Sequence, residues 1–352
     1  MTNYIKKDIR ALSVEDLKVF FESNNIETYR ANQIYEWLWV KGVSDFNLMT
    51  NLSIDFRKFL QKYFTINNIK VESIQKSIDG TIKNAVKLYD NKIVESVLIP
   101  TKNRITACIS SQVGCSLNCK FCATSKLKRL RNLNVDEIFD QVKFIDNQSK
   151  SFYNRPITNI VYMGMGEPLM NYENVIKSIE KITSKSGLGF SPRRITVSSV
   201  GFPKFIKKMA DQKIKFNLAI SLHSAIQSVR EFLMPFSNKI LIEDLIDSLR
   251  YWTNIKKSII TFEYIVFDGI NDSETDIIEL IKICKKIPSK VNLIQYNSIN
   301  DDNFRNASIK SINRYSKLLS ENNIINTIRK SRGDDIDAAC GQLANNTLNL
   351  KN

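Results

Sequence analysis

The sequence predicts an α/β protein built on a partial (β/α)6 barrel, preceded by a small helical module and a short β-meander. Three observations support this fold. Strand-like and helical stretches alternate six times from residue 105 onward, helical patterns fill the first 68 residues, and three short strand-like runs lie between these two parts. Six strand–helix units favour a parallel sheet covered by helices. Because a closed barrel needs eight units, we expect an open barrel, with a doubly wound sheet as the alternative.

The amino-terminal module is predicted from signals that start and stop helices. Ser13 and Asp16 have the spacing of a capping box, Gly42 follows a helical stretch, and Ser53 precedes a third helix. Turn-forming dipeptides separate the three runs of the meander, namely Asp79-Gly80 and Asp90-Asn91. We therefore divide the chain into a helical accessory domain (1–68), a β-meander (69–100), the barrel (101–330) and a carboxy-terminal segment (331–352).

Polar or cysteine-containing segments follow most strands of the predicted barrel. The predicted strands cover 105–110, 157–163, 194–198, 215–221, 259–267 and 291–296, and the helices 135–147, 172–184, 203–211, 242–253, 273–286 and 308–321. A cysteine cluster follows the first strand, and the other segments are Gly164–Glu167, Ser198, Ser221–His223 and Asn297. Loops at the carboxyl ends of parallel strands form the active site in barrels of this kind. We therefore expect these residues to share one site.

Composition restricts the class of partner. The formal net charge is +15, which favours a polyanion such as nucleic acid, although enrichment in Lys, Asn and Ile through biased base composition would also produce it. No stretch approaches the roughly 20 apolar residues of a membrane span. No signal peptide is recognised either, so we expect a cytoplasmic protein that does not enter membranes.

The strongest chemical signal is Cys115-x3-Cys119-x2-Cys122. Thiolates are the usual ligands of iron–sulfur clusters, and three thiolates leave one of four irons open, as a catalytic site requires. A zinc site is the alternative, but zinc usually needs a fourth ligand nearby, and the one histidine, His223, lies far along the chain. The pattern therefore favours a 4Fe–4S cluster.

Three segments, 109–124, 164–169 and 332–343, resemble the RlmN family of radical S-adenosylmethionine (SAM) methyltransferases, and the resemblance extends from residue 12 to 344. It implies that the cluster chelates SAM and that the substrate is C2 of an adenine in 23S rRNA, at the peptidyl transferase centre, and in the anticodon loop of tRNA. It also implies a monomer that contacts RNA through its amino-terminal domain and takes electrons from a flavodoxin-type or ferredoxin-type reductant. The implied SAM contacts are Gly166, Glu167, Ser198, Ser221, Leu222, His223 and Asn297.

The resemblance also assigns three catalytic residues. Cys340 becomes the methyl carrier, an S-methylcysteine whose carbon radical adds to the base; a buried helix face is the alternative, because Ile336 and Leu343 have helical spacing with it. Cys108 becomes the resolving thiol that forms a transient disulfide with Cys340, or else a buried strand cysteine. Glu95 becomes the acceptor of the C2 proton, or else a strand residue that points to water.

Two other functions remain as alternatives. A Cfr-type enzyme would methylate C8 of the same rRNA adenine, but Pro168 and the segment 332–335 resemble RlmN more closely. A non-catalytic iron–sulfur or zinc RNA-binding module would explain the charge and three cysteines, but not Cys108 or Cys340. For RNA contact we single out the basic residues just past the cysteine motif, which are Lys126, Lys128, Arg129 and Arg131.

Overall fold

The structure, a computed structural model, describes residues 6–299 and 303–344. Its first elements are β1 (Lys7–Asp8), α1 (Val14–Glu22), α2 (Arg30–Tyr35), α3 (Ile54–Tyr63) and β2 (Phe64–Thr65). The predicted capping box of Ser13 and Asp16 begins α1, and Ser53 caps α3. A π-helix over Glu36–Lys41 continues α2, and Gly42 ends it with a φ of 59°. The predicted helix signals are therefore confirmed.

The meander is part of the main sheet. Its strands are β3 (Lys70–Lys76), β4 (Ile82–Lys87) and β5 (Ile93–Pro100), and they pair antiparallel in that order. β5 also pairs antiparallel with β6 (Ile105–Cys108), the first barrel strand. Two short antiparallel strands follow, β7 (Gln112–Val113) and β8 (Arg131–Asn132), and the loop between them contains α4 (Ala123–Lys126).

Six strand–helix units and one further strand form the barrel. The remaining elements are α5 (Val135–Tyr153), β9 (Asn159–Tyr162), α6 (Tyr172–Thr183), β10 (Ile195–Ser199), α7 (Pro203–Asp211), β11 (Asn217–Ser221), α8 (Gln227–Leu233), α9 (Ile242–Lys256), β12 (Ile260–Ile265), α10 (Glu274–Lys286), β13 (Ser289–Ile294), α11 (Ile309–Glu321) and β14 (Ile325–Arg329). β6 and β9–β14 pair in parallel in chain order, and the sheet runs from β14 at one edge to β3 at the other. The barrel is therefore open, as predicted.

The seventh parallel strand, β14, was not predicted. It lies at the sheet edge, and its five residues are exposed or only half-buried. An edge strand of this kind has neither a continuous apolar run nor a clear alternation, so its sequence signal is weak. Of the helices that the structure describes, none is both long and apolar enough to cross a membrane.

The amino-terminal module packs against α5 through aromatic and ionic contacts. The rings of Trp39 and Phe139 meet edge to face with their centroids 5.1 Å apart. Arg10, which is buried, forms ion pairs with Asp136 at 3.2 Å and with Asp140 at 2.8 Å, both on α5. These contacts fix the module beside the first barrel helix.

The carboxy-terminal segment crosses back over the meander after β14. The hydroxyl of Ser77 donates to Asp335 at 2.6 Å, and the backbone N–H of Gly333 donates to Asp79 at 3.1 Å. A single 3₁₀ turn, Asp334–Ile336, is the only helical element of the described part of this segment. The alternative of a helical core face through Ile336 and Cys340 is therefore wrong.

Candidate active site

The cysteine motif lies on the loop between β7 and β8, which we name the iron loop (residues 114–130). Its base is closed by the backbone of Leu130, which donates to Val113 at 2.8 Å, and by Cys115, which donates to Leu127 at 3.3 Å. Gly114 has a φ of 74°, and a Cβ at this position would lie 2.3 Å from the carbonyl oxygen of Lys128. The loop can therefore fold tightly only with glycine at its start.

The iron loop opens into a cavity at the carboxyl ends of the barrel strands, which we name the iron-loop cavity. The side chains of Cys115, Cys119 and Cys122 line it. Six further predicted residues line the same cavity: Gly166, Glu167, Ser198, Ser221, His223 and Cys340. Most of the residues that the sequence singled out are thus brought together in one place.

The three thiols suit an iron–sulfur cluster chemically. Burial raises the pKa of Cys115 to about 11 and raises the pKa values of Cys119 and Cys122, and each thiolate is further disfavoured by its neighbours. Bound iron would supply the positive charge that such thiolates need. Three thiolates on one loop, with no histidine beside them in the chain, suit the cysteine ligation of an iron–sulfur cluster.

Glu167 and Gly166 form the wall next to the iron loop. Glu167 is buried, and its carboxylate accepts hydrogen bonds from the backbone N–H groups of Leu169 at 2.9 Å and Val200 at 3.0 Å. Burial raises the pKa of Glu167 to about 7, although these hydrogen bonds act to lower it. Gly166 has a φ of 95°, and a Cβ there would lie 2.4 Å from the Cβ of Gln112. The wall therefore presents a fixed carboxylate, which suits an ammonium group, beside a glycine that packs closely against Gln112.

His223 and Leu222 lie at the end of β11. Nδ1 of His223 accepts a hydrogen bond from the backbone N–H of Ile265 at 3.2 Å. Burial lowers the pKa of His223 to about 3, so the imidazole is neutral. Leu222, in contrast, packs its side chain into the core, and its backbone N–H donates to the carbonyl of Glu263 at 3.1 Å. Of these two predicted SAM contacts, only His223 presents its side chain to the cavity.

A second cavity, which we name the carrier cavity, adjoins the first. Cys108, Asn297 and Cys340 line it, and Cys340 lines both cavities. Cys340 is exposed, whereas Cys108 is buried, and burial raises the pKa of Cys108 to about 12. All six cysteines are free thiols, so the expected disulfide between Cys108 and Cys340 is not present in this structure. Access to both cavities is the property that a carrier residue needs.

Glu95 lies beneath the segment that carries Cys340. Its side chain is fully buried, which makes the alternative of a solvent-facing carboxylate wrong. One carboxylate oxygen lies 3.4 Å from the ammonium nitrogen of Lys83, also buried, and the other accepts a hydrogen bond from the backbone N–H of Ala344 at 2.9 Å. Lys83 also donates to the carbonyl of Asp337 at 3.3 Å. The pair thus holds the carboxy-terminal segment against β4 and β5.

The sequence interpretation missed three charged residues of this region. Arg329 lines both cavities and forms an ion pair with Glu263 at 3.4 Å. The thiolate of Cys340 raises the pKa of Arg329, and the guanidinium in turn favours the thiolate of Cys108. Glu263 could have been found as a charged residue inside an otherwise apolar strand, whereas Lys83 lies beside Asn84 on a strand of mixed polarity and Arg329 ends the strand that was not predicted.

Known proteins match this arrangement over nearly the whole chain. Residues 109–281 match the Radical SAM superfamily, and residues 7–66 match the ribosomal RNA large subunit methyltransferase N-terminal domain. Over 97% of its length the chain is 58% identical to a probable dual-specificity RNA methyltransferase RlmN from Flavobacterium psychrophilum, and it covers 99% of that protein. The chain belongs to the RlmN family. The RlmN of Geotalea uraniireducens is 39% identical, with 96% of each chain covered.

A solved structure agrees with the RlmN assignment. The crystal structure of a radical SAM methyltransferase from Sphaerobacter thermophilus superimposes with a TM-score of 0.89 at 34% sequence identity, covering 96% of this chain and 99% of that chain. The predicted radical SAM partial barrel is thereby confirmed. As an RlmN, the chain is a radical SAM RNA methyltransferase whose cofactors are a 4Fe–4S cluster and SAM. The non-catalytic RNA-binding alternative is not supported.

Proposed function

We propose that this enzyme methylates C2 of an adenine in 23S rRNA and in tRNA, with Cys340 as the methyl carrier. One observation carries the proposal: exposed Cys340 lines both the cavity of the three iron-loop thiols and the cavity that contains Cys108. C2 of adenine is electron-poor and has no nucleophilic lone pair, so direct methyl transfer from SAM is unfavourable. A carrier that presents carbon as a radical avoids this obstacle.

Each residue then has a separate task. When bound, the cluster and SAM supply a 5′-deoxyadenosyl radical. Cys340 accepts a methyl group on sulfur, loses a hydrogen atom from it, and delivers the carbon to the base. Arg329 lines the same two cavities as Cys340 and places a positive charge beside this sulfur. Glu167, Ser198, Ser221, His223 and Asn297 are proposed to orient SAM, with the backbone of Leu222 and Gly166.

Release requires a base and a second thiol. Glu95 accepts the proton from C2, and the ammonium group of Lys83, 3.4 Å away, holds its carboxylate in place. The radical adduct must also lose one electron, which the cluster would accept when bound. The sulfur of Cys108 then attacks the sulfur of Cys340, so that an S–S bond forms as the bond from Cys340 to carbon breaks. The electron pair of the broken bond stays on carbon, which takes up a proton to become the methyl group. Such an attack needs a thiolate in line with the breaking bond. The shared carrier cavity supports this geometry for Cys108.

The remaining assignments concern partners. We propose that residues 1–68 contact RNA, because residues 7–66 match a domain of ribosomal RNA methyltransferases, and that residues 69–100, 101–330 and 331–352 are the meander, the barrel and the carrier segment. The iron loop carries three exposed basic residues, which are Lys126, Lys128 and Arg129. Arg131, in contrast, forms ion pairs with Asp90 and Glu137. A monomer that works in the cytoplasm with a flavodoxin-type or ferredoxin-type reductant completes the proposal.

The test is anaerobic reconstitution with iron, sulfide, SAM, reductant and unmodified 23S rRNA or tRNA. Nucleoside mass spectrometry locates the methyl group on the adenine. We expect 2-methyladenosine from the wild type and none from Cys340→Ala. A methyl group at C8 would indicate the Cfr-type reaction, and methylation by Cys340→Ala would rule out the carrier mechanism.

A further inference from the structure

Arg230, on α8, is a fully buried arginine with incomplete hydrogen bonding. Its side chain donates one hydrogen bond, from Nη2 to the carbonyl of Val200 at 2.6 Å. Among the residues that the structure describes, Nε and Nη1 have no hydrogen-bond partner. Burying a guanidinium without a partner is costly, because the charge and its N–H groups lose the water that would otherwise solvate them. A partner beyond the protein's own atoms is therefore expected.

The surroundings of Arg230 point to the iron loop. The carbonyl of Leu233, the last residue of α8, accepts a hydrogen bond from the backbone N–H of Lys120 at 3.0 Å. The side chains of Leu233 and Met234 pack in one buried cluster with Cys115 and Phe121. Arg230 thus lies in an apolar shell that covers the cysteine motif from the side of α8.

The charged group that acts on Arg230 is the thiolate of Cys119, a proposed cluster ligand. Burial lowers the pKa of Arg230 to about 10, and the thiolate of Cys119 opposes that shift. The carbonyl that Arg230 binds belongs to Val200, which lines the iron-loop cavity together with Cys119. His223, another ionisable group that Arg230 affects, is neutral and offers no counter-charge. The guanidinium remains charged at neutral pH, and within the described part of the chain the charge that compensates it lies on the side of the cluster.

We propose that Arg230 is a positioning residue for the cluster, supplying positive charge and N–H groups to the 4Fe–4S centre at Cys119 and raising its reduction potential. The inference rests on the proposed ligand set. Net charge and hydrogen bonds to sulfur set the potentials of such clusters. Reduction adds one electron to a centre that three thiolates already make anionic, so a fixed cation stabilises the reduced form. No proton moves, and the electron comes from the flavodoxin-type or ferredoxin-type reductant.

The experiment compares reduction potentials of reconstituted holoenzymes without SAM, by redox titration followed by electron paramagnetic resonance. Arg230→Gln removes the charge and should lower the equilibrium constant for reduction of the cluster at least tenfold. For a one-electron couple this lowers the reduction potential by about 59 mV. Arg230→Lys keeps a charge but has fewer N–H groups, so its potential should lie between wild type and the glutamine variant. Arg250→Gln, on α9 with a 59% exposed side chain, is the matched control and should match the wild type.

Each outcome decides the question. An Arg230→Gln protein with a full iron complement and the wild-type potential overturns the proposal. Weaker SAM binding at an unchanged potential also overturns it, because the guanidinium then serves SAM and not the cluster. If the glutamine variant loses iron, the lysine variant decides the question. A wild-type reduction potential in Arg230→Lys would overturn the proposal, because lysine cannot make all the proposed N–H contacts. A wild-type protein that binds no cluster would count against the ligand assignment instead.

Discussion

The side-chain amide of Asn297 donates a hydrogen bond to the backbone carbonyl of Cys340, with 3.0 Å between nitrogen and oxygen. A second contact lies beside it, where the amide of Gln342 donates to the carbonyl of Ser298 at 3.1 Å. The segment after β13, expected only to bind SAM, therefore also holds the turn that presents the carrier. With the SAM contacts proposed above, one side chain would connect SAM binding with the position of the carrier.

Asn297→Ala should slow methylation of Cys340 by about fivefold, because loss of a net hydrogen bond of roughly 1 kcal/mol frees the carrier turn. Mass spectrometry of the intact protein after incubation with labelled SAM measures this rate. Asn147→Ala, on the exposed face of α5, is the control and should methylate normally. A wild-type rate in Asn297→Ala would show that the hydrogen bond does not position Cys340.

The two-cysteine mechanism predicts a covalent intermediate. Cys108→Ala should load the cluster and methylate Cys340, yet stall with RNA attached, because no second thiol can break the bond from sulfur to carbon. Cys340→Ala and the double variant should form neither adduct nor product. A denaturing gel with labelled RNA separates these cases. Normal turnover by Cys108→Ala would refute the resolving role.

The buried ion pair of Lys83 and Glu95 should matter at the release step. Lys83→Met removes the cation beside the carboxylate, so proton removal should slow at least tenfold and the RNA adduct should accumulate. Lys83→Arg should restore part of the rate if the charge is what matters. The matched control is Lys87→Met on the same strand, where the lysine is one-third exposed and pairs with Glu72. Equal rates for both methionine variants would exclude this role for Lys83.

RNA binding should depend on the exposed basic residues of the iron loop. Replacing Lys128 and Arg129 with Ala should reduce the slope of log affinity against log salt by about 0.7 to 0.9 for each phosphate that the variant no longer neutralises. Filter binding over a salt series measures the slope. Lys256 and Lys257, at the carboxyl end of α9 and so at the opposite edge of the parallel sheet, provide a control pair. An unchanged slope would show that Lys128 and Arg129 do not contact phosphates of the RNA.

Stability should depend on pH through Asp136. Burial raises the pKa of Asp136 to about 7, despite the ion pair with Arg10. The unfolded chain releases this proton near pH 4, so the free energy of unfolding should fall as pH rises from about 4 to 7, by about 1.4 kcal/mol for each unit of raised pKa. Asp136→Asn should lack this decline and be the more stable protein at pH 8. Parallel pH profiles from urea denaturation would contradict the shift.

Much of the fold could be predicted because strong local signals agree with the final structure. The capping residues Ser13 and Ser53 begin the helices they were expected to begin, and the six strand–helix units carry clear apolar runs. β14 was missed because an edge strand lacks such a run. The helical spacing around Cys340 was misleading, because the contacts of Asp335 and Gly333 with the meander hold that segment in a turn.

The candidate site also contains some residues that could be predicted from the sequence and others that could not. Residues that follow strands, such as Glu167 and His223, could be predicted because parallel strands share one active edge. Lys83, Arg230 and Arg329 could not be predicted, because the role of each depends on contacts with residues far away in the sequence. The ion pair of Arg329 with Glu263, for example, joins residues 66 positions apart.

The long reach of the carboxy-terminal contacts also bears on the order of folding. Ser77 and Asp335 are 258 residues apart in the chain, and Glu95 and Ala344 are 249 apart. Contacts this distant form late, since the intervening chain must be ordered first. On a growing polypeptide most of the barrel can therefore form before the methyl acceptor arrives, whereas Ala123 and Thr124 of the iron loop wait for their partners Gly341 and Leu343. Delivery of the Cys340 segment would then be the final assembly step, and the same step would complete the iron loop and supply the methyl acceptor.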